Sequence, residues 1–195
     1  MSITQVSGYY NQGYIPRTYG VQSVQPTQYN TYTPDQYNTS VVTGNPILDY
    51  PISAVVDNPS VAKRLGWFLI NSPSKLLSVG AGWGGIGRFF VNLIAGNVPI
   101  ITSSAKAQQI SNDVSRWIGK SDLLRTGADP ISATLLQDVG IMNVNDLAMI
   151  TNPVDQNVLH QRITMAASSR GVTPPTFGML VSWINTAIQL PKMIK

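Results

Sequence analysis

The stretch Ile86-Gly87-Arg88-Phe89-Phe90-Val91-Asn92-Leu93-Ile94 decides the fold class. Ile86, Phe89, Phe90, Leu93 and Ile94 stand at i, i+3, i+4, i+7 and i+8, which is one side of an α-helix and not the alternation of a half-buried strand. The helix should end near Gly96. An apolar face of this size is expected to be covered by protein, from this chain or a neighbour, and not by lipid.

The same period extends outward in both directions. Ser104 to Lys120 places Ala107, Ile110, Val114, Trp117 and Ile118 on one face, with Gly119 near the C-terminus of that helix. Shorter helices are predicted at about 130–138, 145–150, 155–168 and 175–189, the last started by Pro174-Pro175 and stopped by Pro191. On the N-terminal side, Pro59-Ser60 opens a helix whose Val61, Leu65, Phe68 and Leu69 keep helical spacing up to Ser72, where Pro73 stops the run. No run alternates for long enough, with enough β-branched residues, to form a sheet, so the folded part is expected to be mainly α.

Leu76 to Ile101 is the most apolar stretch of the chain. Five glycines in its first half and Arg88 near its centre argue against a spanning helix, since an arginine there costs about 2.5–3.5 kcal/mol on insertion scales. A buried hairpin or a partner-facing helix is expected. Interfacial anchoring by 76–101 is the alternative, with basic flanks at Lys75 and Lys106 and aromatics at Trp67, Trp83, Phe89 and Phe90. Gly80-Ala81-Gly82-Trp83-Gly84-Gly85 matches the dinucleotide pattern G-x-G-x-x-G, but no strand precedes it and no acid follows some twenty residues on. A packing or turn role is expected for these glycines.

Before residue 45 the chain is a different polymer. All eight tyrosines lie in the first fifty residues, and Tyr9, Tyr10, Tyr14, Tyr19, Tyr29, Tyr32 and Tyr37 are spaced among Gln, Asn, Thr, Ser, Gly and Pro. Such a segment lacks the apolar area to build its own core and is expected to lie extended on partner subunits, each ring burying area while its hydroxyl finds a partner. The predicted organisation is an arm over 1–44, a basic apolar helical region over 45–121 and a helical domain over 122–195.

Charge is distributed unevenly along this plan. Residues 1–59 carry Arg17 against Asp35, Asp49 and Asp57, a net −2, and residues 126–195 balance four bases with four acids. Between them, Lys63, Arg64, Lys75, Arg88, Lys106, Arg116, Lys120 and Arg125 face only Asp113 and Asp122, a net +6. An acidic partner should therefore meet the middle segment.

The C-terminal third carries a resemblance. Gly127-Ala128-Asp129-Pro130-Ile131-Ser132-Ala133, then Leu135-Leu136-Gln137-Asp138-Val139-Gly140-Ile141, and then Val144-Asn145-Asp146-Leu147-Ala148 resemble successive parts of helix-hairpin-helix units. The region through Arg170-Gly171-Val172-Thr173-Pro174-Pro175 and Trp183-Ile184 is similar to a family of tandem helix-hairpin-helix domains of unknown function. The resemblance implies hairpins at Gly127 to Pro130 and at Gly140 to Asn143. In DNA-binding members, hairpin glycines let backbone amides approach a phosphate. Here Asp129 replaces the second glycine of the first hairpin, which would set a negative charge beside the phosphate, and the second hairpin also lacks its second glycine. With balanced charge over 126–195, the hairpins are expected to serve packing or protein contacts.

Candidate catalytic chemistry is thin. His160 is the sole histidine, and Asp155, five residues away, does not share its helical face, so no nucleophile relay is legible. Without cysteine there is no disulfide, thiolate metal site or cysteine nucleophile, and no carboxylate cluster has metal-ligand spacing. No catalytic residue, cofactor or metal is expected. The apolar core of a secretory signal is missing after Met1, so a cytoplasmic or particle-associated location is expected. The function that follows is a structural subunit or adaptor of a large assembly, such as a virion or a tail-like particle. It would act in several copies, with protein contacts from the arm and the helical domain, including Phe89, Phe90 and Leu93. The alternatives are a nucleic-acid-binding module using the basic middle and a peripheral membrane protein.

Overall fold

The computed structural model describes residues 50–82, 85–96 and 103–194. The expected arm contacts at Tyr9, Tyr10, Tyr14, Tyr19, Tyr29, Tyr32 and Tyr37 lie outside them, as do Trp83 and Gly84. The described residues are mainly helical and contain no strand: a 3₁₀ turn Ile52–Ala54, then α1 Pro59–Trp67, α2 Pro73–Gly82, α3 Ile86–Ala95, α4 Ser104–Leu123, a 3₁₀ turn Leu124–Thr126, α5 Pro130–Asp138, α6 Val144–Ala148, α7 Pro153–Arg170 and α8 Phe177–Gln189.

Three helices start by one device. Asn58, Asp129 and Asn152 each precede a proline at the first helical position and accept a hydrogen bond from backbone amides one turn on. Proline sacrifices an amide that has no intrahelical partner, while the capping oxygen satisfies the amides that follow. α5 ends in a Schellman turn in which Gly140, at φ 96°, lets the Ile141 amide reach the Leu136 carbonyl.

The core gathers on α4, which packs against α2 and α3 on one side and α5 on the other. Val114, Trp117, Ile118 and Leu123 are its buried apolar residues. The boundary expected between 121 and 122 falls inside this helix, and buried residues from Ile52 to Ala187 form one apolar cluster. Gly119, expected near the helix end, lies in its interior. A Cβ there would land on the carbonyl oxygen of Met142, so the glycine exists to let the turn after α5 pack on the α4 backbone. Gly80 plays the same part for α2, where a Cβ would meet the Ile118 side chain.

One other expectation needs correction. The helix from Pro59 stops at Trp67 and not Ser72, because Leu69 takes a left-handed conformation, φ 63°, and the Ile70 amide turns back to the Leu65 carbonyl. Of the stretch Leu76 to Ile101, expected to be a buried hairpin or a partner-facing helix, the described residues form most of α2 and all of α3.

Where α4 ends, the interior holds charge. Asp122 and Arg125 form an ion pair at 2.6 Å, with side chains 1% and 7% exposed. Asp122 also accepts from the Val144 amide, and Arg125 donates to the Pro191 carbonyl, so the pair ties α4 to the start of α6 and to the chain after α8.

Lys120, one turn earlier, is buried as well. Burial lowers its pKa, with Asp57 pulling the other way. The unfolded chain then binds more protons than the native one between that lowered value and the ordinary lysine value of 10.5, so stability rises with pH across that interval. Lys120→Met should therefore raise the melting temperature at neutral pH. The gain should shrink as pH climbs toward the ordinary lysine range, which thermal melts at stepped alkaline pH will show.

Candidate interaction surface

α3 is apolar nearly all round, and the structure buries the side that the large residues do not occupy. Gly87, Val91, Ile94 and Ala95 face inward. The small Gly87 and Ala95 allow close approach to the neighbouring helices, and Arg64 of α1 donates to the Ala95 carbonyl at 3.1 Å, which fastens the α3 C-terminus. Of the face expected to be covered by this chain or a neighbour, this chain itself buries only Ile94. Ile86, Phe89, Phe90 and Leu93 are exposed, Phe89 by 58%.

The turn after α1 continues this face. Trp67 is 71% and Leu69 74% exposed, and the Phe68 ring meets the Phe90 ring edge-on with centroids 5.8 Å apart. Lys63 stands 6.0 Å over the Trp67 ring. In the sequence Trp67 enters only as one of the aromatics of the interfacial-anchor alternative, and Phe68 and Leu69 are not marked as contacts. The signal was present: three consecutive large apolar residues at the end of an amphipathic helix cannot all point inward.

Leu69 shows that this turn is not optimised for stability. It fills the left-handed position of a Schellman turn, where glycine is the unstrained choice, yet its side chain is mostly in solvent. Leu69→Gly should stabilise the fold by about 0.5–1 kcal/mol, the relief of left-handed strain less the added chain entropy of glycine. Urea unfolding measures it. A loss of stability would mean that Leu69 packs on the fold.

A second apolar stripe runs along α7. Val154, Val158 and Met165 lie within about 40° of one another around the helix axis, and all are exposed. α3 packs chiefly on α1, α2 and α4, whereas α7 packs chiefly on α5 and α8, so the two apolar surfaces sit on different helix groups.

The hairpin positions are used internally. Gly127 has φ 98° after the second 3₁₀ turn. The Asp129 carboxylate accepts from the amides of Ile131 and Ser132 at 2.8 and 3.0 Å and from the Ser132 hydroxyl at 2.6 Å. It takes the place a phosphate would need at the α5 N-terminus, a stronger obstacle than a charge placed nearby. At Gly140 to Asn143, the second expected hairpin, Asn143 caps α6 while Asp146 accepts from the Met142 amide at 2.9 Å.

The basic middle segment is partly spent inside the fold too. Arg64 holds the α3 C-terminus, and Lys120 and Arg125 are buried, leaving Lys63, Lys75, Lys106 and Arg116 exposed and Arg88 half-buried. His160 fastens α7 to α8, its Nε2 lying 3.0 Å from the Pro175 carbonyl and its ring edge-on to Phe177. Two cavities of about 340 and 390 Å³ share Asn58, Asp113 and Trp117 and mix Asp57 with Arg64 and Lys106. No group of three or more metal-ligating side chains occurs among the described residues. No helix among them is long and apolar enough to cross a membrane.

No protein-family model, curated protein or solved structure matches the chain.

Proposed function

We propose that the chain is a structural adaptor of a macromolecular assembly, joining partners through surfaces and not transforming a substrate. The observation that carries this reading is the pair of exposed apolar surfaces, one on α1 and α3 and one on α7, each backed by a packed core. A single domain that leaves two such surfaces in solvent, on separate helix groups, has the form of a part that fits between others. In this reading the tyrosine-rich segment adds further protein contacts, and the C-terminal helices serve as a helix-hairpin-helix-like module for protein rather than nucleic acid. Asp129 and Asp146 satisfying their own hairpins support that choice, as does the burial of Lys120 and Arg125.

Site-specific photo-crosslinking tests it. The benzophenone amino acid at Met165, in the chain expressed in its native source, should give discrete protein adducts identifiable by mass spectrometry. The same probe at Gln108, an exposed polar position on α4, is the control. Equal, diffuse labelling at both positions would remove the α7 surface from the reading.

A further inference from the structure

We infer that the aromatic face formed by Trp67, Phe68, Leu69, Phe89, Phe90 and Leu93 docks on the surface of an anionic lipid bilayer. The inference rests on the reading of this face as a contact surface and names what it contacts. Three observations select the partner. The first is charge. The helices that carry the face, α1 and α3, contain Lys63, Arg64 and Arg88 and no acid, and residues 58–112 as a whole contain none. A second copy applied to this face by two-fold symmetry would set cations against cations, so the partner is anionic.

The second observation is shape. Trp67 and Leu69 are about three-quarters exposed, and the two cavities that share Asn58, Asp113 and Trp117 are lined by other residues. Protein interfaces seat their anchors in pockets of the partner and offer pockets in return. A bilayer surface asks only for apolar side chains that project to a common depth beneath a polar rim.

The third is side-chain type. Tryptophan and phenylalanine suit the zone between headgroups and acyl chains, and the Lys63 ammonium, 6.0 Å over the Trp67 ring, sets a cation beside the most exposed aromatic of the face. α3 would lie in the plane of the membrane with Gly87, Val91, Ile94 and Ala95 toward the protein. The anchor therefore combines the turn after α1 with one face of α3, in place of the continuous stretch 76–101.

Vesicle flotation of the full chain tests the inference, with phosphatidylcholine vesicles containing or lacking phosphatidylserine. The wild type should float with the anionic vesicles and stay behind with the neutral ones. Lys63→Gln and Arg88→Gln should each weaken partitioning by about fivefold. Trp67→Ala and Phe90→Asp should abolish flotation with circular dichroism unchanged, and Trp67→Ala, at the more exposed position, covers the case in which Phe90→Asp disturbs the fold.

Equal flotation with both vesicle types would overturn the charge argument and with it the inference. Flotation undiminished in both aromatic variants would place the lipid contact elsewhere and overturn it as well. If wild type does not float but Phe90→Asp or Trp67→Ala removes the chain from its native assembly, the partner is a protein: the inference falls and the adaptor reading stands. If neither variant changes flotation or assembly, the face is no contact surface and both fall.

Discussion

Asp122→Ala should lower the unfolding free energy by about 3–5 kcal/mol, because it strands the Arg125 guanidinium in the interior without its carboxylate. The same change leaves the Val144 amide without its acceptor at the start of α6. Asp122→Asn separates these two losses. It can keep an acceptor for Val144 while removing the charge, so it should cost less than alanine but still destabilise. The double change Asp122→Leu with Arg125→Met should recover much of the single-mutant loss, since two uncompensated costs are removed together. Recovery will be incomplete because the Val144 amide and the Pro191 carbonyl still lose their partners. Urea unfolding of wild type, Asp122→Leu, Arg125→Met and the double variant closes the cycle, and additive losses would show that the pair does not act as a unit.

This pair also marks where sequence reading stops. In the sequence Asp122 and Arg125 are two charges of the middle segment, and their spacing of three is that of an ordinary solvated i,i+3 pair. What buries them is the return of the chain at Val144 and at Pro191, contacts 22 and 66 residues distant in sequence. Nothing local encodes such distances. Local chemistry, by contrast, was readable: Asn58-Pro59, Asp129-Pro130 and Asn152-Pro153 fix three helix starts, and the 3.6-residue period fixes the helical class.

The apolar face of α3 lies between these cases. Its period was legible, but period alone cannot say which side of an almost wholly apolar helix goes inward. The small residues decided it: Gly87 and Ala95 admit neighbouring helices more closely than phenylalanine would, so the bulky face was left outside. In the sequence Phe68 and Leu69 continue the helical spacing of Val61 and Leu65, and Trp67 stands only among the aromatics of the interfacial alternative. The left-handed backbone at Leu69, which ends that helix early, has no marker in a leucine.

Glycines give the sharpest separation between what a sequence allows and what a structure requires. Gly119, Gly80 and Gly178 all lie in helices, where alanine is intrinsically better by about 0.5–1 kcal/mol. At Gly178 nothing stands within 4 Å of the added methyl, so Gly178→Ala should stabilise the fold by about that amount. At Gly80 the methyl meets the end of the Ile118 side chain, which can rotate away at the expense of its packing, and a net loss of about 1–2 kcal/mol is expected. Gly119→Ala should cost about 3 kcal/mol or more, because the obstacle is the Met142 carbonyl, part of a turn held by Gly140 on one side and by the Asn143 cap on the other. Relief would require the α5–α6 connection to lift from α4, which would also pull the Val144 amide away from Asp122. Chemical denaturation of the three alanine variants should give a gain, a modest loss and a severe loss in that order. A Gly119→Ala protein as stable as wild type would show that this connection does not bear on the α4 backbone.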